Sequence, residues 1–155
     1  MSKPLGLTAL PKDYANVTAV YLANPATQLA CPVYETGVTA GFPSPAADYI
    51  EESLDLNELL IRHKVATFFT RVRGDSMIGA GIYHRDLLVV DRAEQVRDKH
   101  IVFARVGNEF CIKEIRILPN EVRLCSANRK YRDLIITQEM EFEVWGRVTY
   151  SITKH

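Results

Sequence analysis

No stretch of this 155-residue chain approaches the run of about 18 apolar residues that spans a bilayer, and its start lacks a charged segment leading into an apolar one. Neither a membrane anchor nor a secretory leader is expected. Cysteine is scarce: Cys31, Cys111 and Cys125 form an odd set with no CxxC pair, which argues against a disulfide framework and against a zinc site. A reducing cytoplasm is the simplest home. Cys111 and Cys125 lie in apolar stretches and read as core fillers, whereas Cys31 beside Pro32 reads as a more exposed thiol. Histidine is equally sparse, with His63, His84, His100 and His155 scattered among polar neighbours and no HxxxH spacing. They read as surface residues, and neither a metal nor another cofactor is expected. An excess of one charge is missing as well: Lys and Arg number 19, Asp and Glu 19. Direct sequence-specific DNA binding needs clustered positive charge and is not expected. Arg116, Arg123, Arg129, Lys130 and Arg132 gather late in the chain and read as a solvated face, with a face toward a partner or nucleic acid as the alternative.

What is present is a nucleophile, a base and a substrate. Ser76 stands in Gly74-Asp75-Ser76-Met77, Lys113 follows 37 residues later, and a small-small bond, Ala40-Gly41, precedes the serine by 35 residues. Cys111-Ile112-Lys113-Glu114-Ile115-Arg116-Ile117 reads as a strand, and alternation puts Lys113 on one face with Cys111, Ile115 and Ile117. An ammonium where a core residue is expected tends to lose its proton, and a neutral lysine can take one from a serine hydroxyl. A fall of about 3 in pKa, from about 10.4, corresponds to about 4 kcal/mol of burial cost and makes such a lysine a competent base near neutrality. The plainer reading is an edge lysine that snorkels into water and a serine serving turn chemistry. Spacing alone does not exclude a Ser-His-Asp triad, because triads assemble in space.

The blocks Ala40-Gly41-Phe42-Pro43-Ser44-Pro45-Ala46-Ala47-Asp48-Tyr49, Asp55-Leu56-Asn57-Glu58-Leu59-Leu60-Ile61, Gly74-Asp75-Ser76-Met77-Ile78 and Asp86-Leu87-Leu88-Val89-Val90-Asp91, followed by Lys113, resemble in order and spacing the LexA-type serine peptidase family, and within it the UmuD-like self-cleaving proteins of SOS mutagenesis. The resemblance runs from Ala40 to the end of the chain. It implies Ser76 as nucleophile, Lys113 as general base and Ala40-Gly41 as the bond cut. Attack by Ser76 makes an oxyanion that needs backbone N–H donors, and the turn around Asp75, Ser76 and Met77 is expected to supply them from Ser76 and Met77. The partners the resemblance implies are a second copy in a homodimer, a RecA nucleoprotein filament as trigger, a UmuC-type Y-family polymerase and the polymerase sliding clamp. A non-proteolytic adapter that kept the fold and a LexA-like transcriptional regulator stand as alternatives. The tethered bond's high local concentration disfavours a peptidase acting on other chains.

The fold expected is mainly β: a compact LexA/UmuD-type peptidase domain of mostly antiparallel strands over residues 41–155, preceded by an extended N-terminal arm, residues 1–40, and by short helices. The arm holds Pro4, Pro11, Pro25 and Pro32, and only Tyr14 to Ala23 could form one short regular element, too little for a helix-turn-helix unit. Ser44-Pro45 predicts a helix over Ala46 to Glu52, and Asp55 with Glu58 predicts another over Leu56 to Arg62. Strands are predicted from Thr67 to Val72, Asp86 to Asp91, His100 to Val106, Glu109 to Ile117, Glu121 to Ser126 and Glu141 to Ile152, with turns at Gly107-Asn108 and Pro119-Asn120. The last strand, long and aromatic-rich from Val144 to Ile152, reads either as an exposed edge inviting a second chain or as carrying Trp145 and Tyr150 as ordinary core residues.

Overall fold

The computed structural model describes residues 16–22, 30–34 and 50–155. An eight-stranded antiparallel sheet dominates it, in the order β1-β4-β5-β10-β6-β7-β8-β9. Its strands are β1 Val17–Leu22, β4 Thr67–Val72, β5 Leu87–Asp91, β6 Ile101–Val106, β7 Glu109–Leu118, β8 Glu121–Cys125, β9 Leu134–Ile136 and β10 Phe142–Ile152. A separate two-stranded ladder joins β2 Ala30–Tyr34 to β3 Ile50–Asp55. The single described α-helix, α1 Leu56–Leu60, follows β3 directly, its start capped by the Asp55 carboxylate, which accepts the Asn57 N–H at 2.8 Å.

Alternation on β6 and β7 builds the interior. Val102, Ala104 and Val106 meet Cys111, Ile115 and Leu124 in one cluster, while Phe103 and Ile112 point the other way into a second with Phe68, Val72, Met77, Ile82, Leu88 and Val90. Both faces of these two strands are thus covered, the environment in which strands read as continuous apolar runs rather than alternating ones. The tight Gly107 turn, at φ 60°, sets their register, pairing Val106 with Glu109 and Val102 with Lys113.

Several expectations need correction. Ile50 to Glu52, assigned to a helix, belong to β3, because pairing with β2, Val33 opposite Glu52, prevails over the Ser-Pro start signal; residues 46–49 lie outside the described residues. Helix α1 stops at Leu60 rather than Arg62, with Ile61 already extended. The last strand is no edge: β10 lies between β5 and β6 and pairs with both. Gly146 makes that position tenable, since a Cβ there would lie 2.8 Å from Val90 Cγ1 and 2.9 Å from the Asp91 carbonyl oxygen. Among the described strands the edges of this sheet are β1 and β9. Ile117 is exposed, unlike Cys111, Lys113 and Ile115, because β7 runs past its cover at that end. The other predicted strands occur within a residue of their expected ends, and the stretch from Tyr14 to Ala23 contains β1.

Candidate active site

Ser76 sits where the chain leaves β4 and turns before β5. Gly74 takes a φ of +84°, a conformation open to glycine, and its N–H donates to His84 Nδ1 at 3.0 Å. Asp75 is tied to the loop after β8: its carbonyl accepts from Asn128 Nδ2 at 3.0 Å and its carboxylate from the Tyr131 hydroxyl at 2.5 Å. The Tyr131 hydrogen bond, above all, holds the Asp75 carboxyl below its usual pKa. On the other side of the serine, Met77 is buried in the second cluster and its Sδ accepts the Ala127 N–H at 3.5 Å. The 3₁₀ turn Ile78–Ala80 then presses Gly79 against Ala127, with an N–H to carbonyl distance of 2.7 Å and no room for a Cβ, which would stand 2.4 Å from that oxygen. Ser76 is thereby held from both neighbours.

Lys113 comes from the middle of β7, across from Val102. It is fully buried, and its Nζ stands 2.7 Å from Ser76 Oγ. Burial lowers its pKa from 10.5 to about 8. The neighbouring Cys111, pushed up to about 12 by burial, stays a thiol near neutrality. The Tyr131 ring centroid lies 5.8 Å from Nζ, a loose cation-π approach that links the base to the same tyrosine that holds Asp75.

A further residue, not singled out from the sequence, completes the cluster. Asn16, directly before β1 and 2% exposed, donates from Nδ2 to Ser76 Oγ at 3.1 Å. The same carboxamide is fastened to β7: its Oδ1 accepts the Ile112 N–H at 2.6 Å and its Nδ2 donates to the Ile112 carbonyl at 3.1 Å. No sequence pattern marks it, since 60 residues separate Asn16 from Ser76 and 96 separate it from Ile112.

The structure therefore brings Ser76 and Lys113 into hydrogen-bond contact, while Ala40, Gly41 and the Cys31 side chain lie outside the described residues. The hydrogen bonds at Ser76 Oγ come from Lys113 and Asn16, not from a histidine. His84 and His155 are exposed, His100 is half-buried, and His63 sets its Nδ1 2.7 Å from the buried Asp91 carboxylate. Of the late basic cluster, Arg116 pairs with Asp98 and Arg123 with Glu121, while Arg129, Lys130 and Arg132 are exposed. No helix among the described residues is long and apolar enough to cross a membrane. A buried hydroxyl against an amine whose pKa lies near 8 is an arrangement able to pass a proton and expose an alkoxide-like oxygen.

Residues 32–149 match the Peptidase S24-like family. Protein SamA of Salmonella typhimurium is 42% identical over 127 residues, covering 82% of this chain and 88% of SamA. Protein MucA of Escherichia coli is 39% identical over 125 residues, 80% of this chain and 85% of MucA. Protein ImpA of Shigella flexneri is 48% identical over 88 residues, 57% of this chain and 61% of ImpA.

Proposed function

This chain belongs to the Peptidase S24-like family, and on that premise we propose that it is a self-cleaving regulatory subunit of an error-prone translesion polymerase, in which Ser76 and Lys113 cut the chain's own Ala40-Gly41 bond. The observation that carries the reading is the 2.7 Å contact between Lys113 Nζ and Ser76 Oγ, with both side chains buried. In the neutral lysine, Nζ takes the Ser76 proton as Oγ bonds to the Ala40 carbonyl carbon. The resulting oxyanion is met by the N–H groups of Ser76 and Met77. Collapse breaks the bond to the Gly41 nitrogen, which receives the proton from Nζ. Water then gives a proton back to Nζ, its oxygen attacks the acyl carbon, and Ser76 regains its hydroxyl as residues 1–40 leave with a free carboxylate. One lysine serves both proton transfers.

The biological setting follows from the resemblance to UmuD-like proteins: a homodimer in the cytoplasm, cleavage prompted by a RecA nucleoprotein filament during the SOS response, and a UmuC-type polymerase and the sliding clamp as partners of the shortened form. Intact mass of the purified protein, incubated at pH 7 and pH 10 beside Ser76→Ala, tests the chemistry. A species beginning at Gly41, formed faster at high pH and absent from the variant, is expected. A chain that stays whole under both conditions and with activated RecA filament refutes the peptidase reading in favour of an adapter.

A further inference from the structure

Asn16 uses its whole carboxamide in the site. Its orientation is fixed by chemistry, because the Ile112 N–H, 2.6 Å away, needs an oxygen; the amide nitrogen must then face Ile112 O and Ser76 Oγ, each at 3.1 Å. The place it occupies is an open piece of sheet edge. On β7 the ladder to β8 begins only at Glu114, so at Ile112 the outward N–H and carbonyl meet the asparagine amide in place of a neighbouring strand. Its backbone is equally determined: the Asn16 carbonyl accepts the Arg73 N–H at 2.8 Å, and Val17 opens the β1 ladder opposite Val72. A side chain 2% exposed, with hydrogen bonds to the backbone of one strand and to the reacting oxygen, is a preorganised donor rather than a surface amide.

We propose that Asn16 is a third catalytic residue of the Ser76-Lys113 site, and that self-cleavage at Ala40-Gly41 severs it from the two groups it serves. The first part needs only the site; the second rests on the cleavage reading given above. Its N–H donates to Oγ while the hydroxyl proton moves to Lys113 Nζ, steadying the negative charge that gathers on Oγ. It does so again when the acyl–Oγ bond breaks and Oγ departs before taking back its proton. Because Asn16 lies upstream of Gly41, the cut leaves it on a fragment joined to the rest only by non-covalent pairing, β1 with β4 and β2 with β3 among the described strands. The cut form keeps this donor only while that fragment stays paired, and loses it once residues 1–40 depart.

The test uses the full chain as wild type, Ser76→Ala, Asn16→Asp and Asn16→Ala, with three readouts: intact mass over time, covalent labelling of Ser76 by an alkyl fluorophosphonate, and the thermal midpoint. Asn16→Asp keeps the shape and the acceptor for the Ile112 N–H but cannot donate to Ser76. Both Asn16 variants are expected to cleave and to label about ten- to a hundredfold more slowly than wild type, at temperatures well below every midpoint. Wild type, once cut and freed of residues 1–40, is expected to label at the same reduced rate. Labelling and cleavage at the wild-type rate in both variants overturns the proposal, as does faster cleavage, which would make the amide a plug. Labelling requires no Ala40-Gly41 bond. An Asn16-dependent label without a product beginning at Gly41 therefore supports Asn16 as a catalytic residue and removes the cleavage reading, and with it the severing.

Discussion

Lys113 and Asp91 are both charged residue types almost shut from solvent on the same sheet, at 0% and 2% exposure, yet the fold treats them in opposite ways. The Asp91 carboxylate is met by the Ala93 N–H at 2.8 Å and the His63 ring at 2.7 Å, so the end of β5 closes onto the turn ahead of β4. The Lys113 amine is set against a serine hydroxyl, and burial draws its pKa down to about 8. One site spends its hydrogen bonds on holding a corner; the other carries a cost that becomes reactivity. Strained or costly groups persist where the surrounding structure over-determines them, and here β6, β7 and the anchored Ser76 turn do so.

The largest expected effect separates the two outright. Ser76→Ala and Lys113→Ala should each lower self-cleavage at least about a thousandfold, with the fold kept, as assayed by intact mass and circular dichroism. Asp91→Asn should leave a folded protein that still cuts. Cleavage surviving in either of the first two variants would break the comparison at its root.

Stability should move in the opposite direction. A pKa lowered from 10.5 to about 8 stores about 3 kcal/mol, of which about 1 is returned by the hydrogen bond to Ser76, so Lys113→Met should stabilise the protein by about 2 kcal/mol at pH 7. The sign follows from the direction of the shift. Between pH 8 and 10.5 the unfolded chain binds the proton that the folded chain has released, so wild-type stability rises with pH through that window. The advantage of Lys113→Met is therefore full below about pH 8 and fades by pH 10.5. Urea melts at pH 7 and pH 10 read it directly. Asp91→Asn should instead cost about 2 kcal/mol, because the amide offers a poorer acceptor to two donors already in place.

Cleavage rate should track the same proton. With Lys113 at about 8, roughly a tenth of the amine is neutral at pH 7 and nine-tenths at pH 9, so the rate should rise about tenfold across that interval and then level. A profile flat from pH 7 to 9 would mean that Lys113 is not the base.

The two sites were unequally legible in the sequence. Lys113 stood out because alternation along Cys111 to Ile117 put a charge on an apolar face, a local signal that the β6–β7 hairpin preserves. Six strands from Thr67 onward were legible from their apolar runs and flanking turns, whereas the short β9, Leu134–Ile136, was missed. Asp91 gave no such sign, since His63 reaches it across 28 residues and His63 reads as an ordinary surface histidine. Asn16 was less visible still: one of two asparagines in a proline-rich stretch, given meaning only by β1 joining β4. The strand order was hidden as well. Reading β10 as an edge failed because its neighbours β5 and β6 come from far earlier in the chain, and pairing at that range leaves no mark on local pattern. Likewise, β3 took its form from β2 rather than from its own helix-start residues.

The smallest effect divides the Asp91 corner itself. His63 is half-exposed, with a side-chain exposure of 46% against 4% for Asp91, so water can replace its ring at the carboxylate. The Ala93 N–H belongs to the turn backbone and keeps its contact with Asp91 whatever happens at position 63. His63→Ala should therefore cost no more than about 1 kcal/mol in urea denaturation, less than Asp91→Asn, and should leave cleavage unchanged. Equal losses in the two variants would make the imidazole and the carboxylate a single unit. A slower cut would tie this corner to Ser76, and the contrast between a holding charge and a working one would no longer stand.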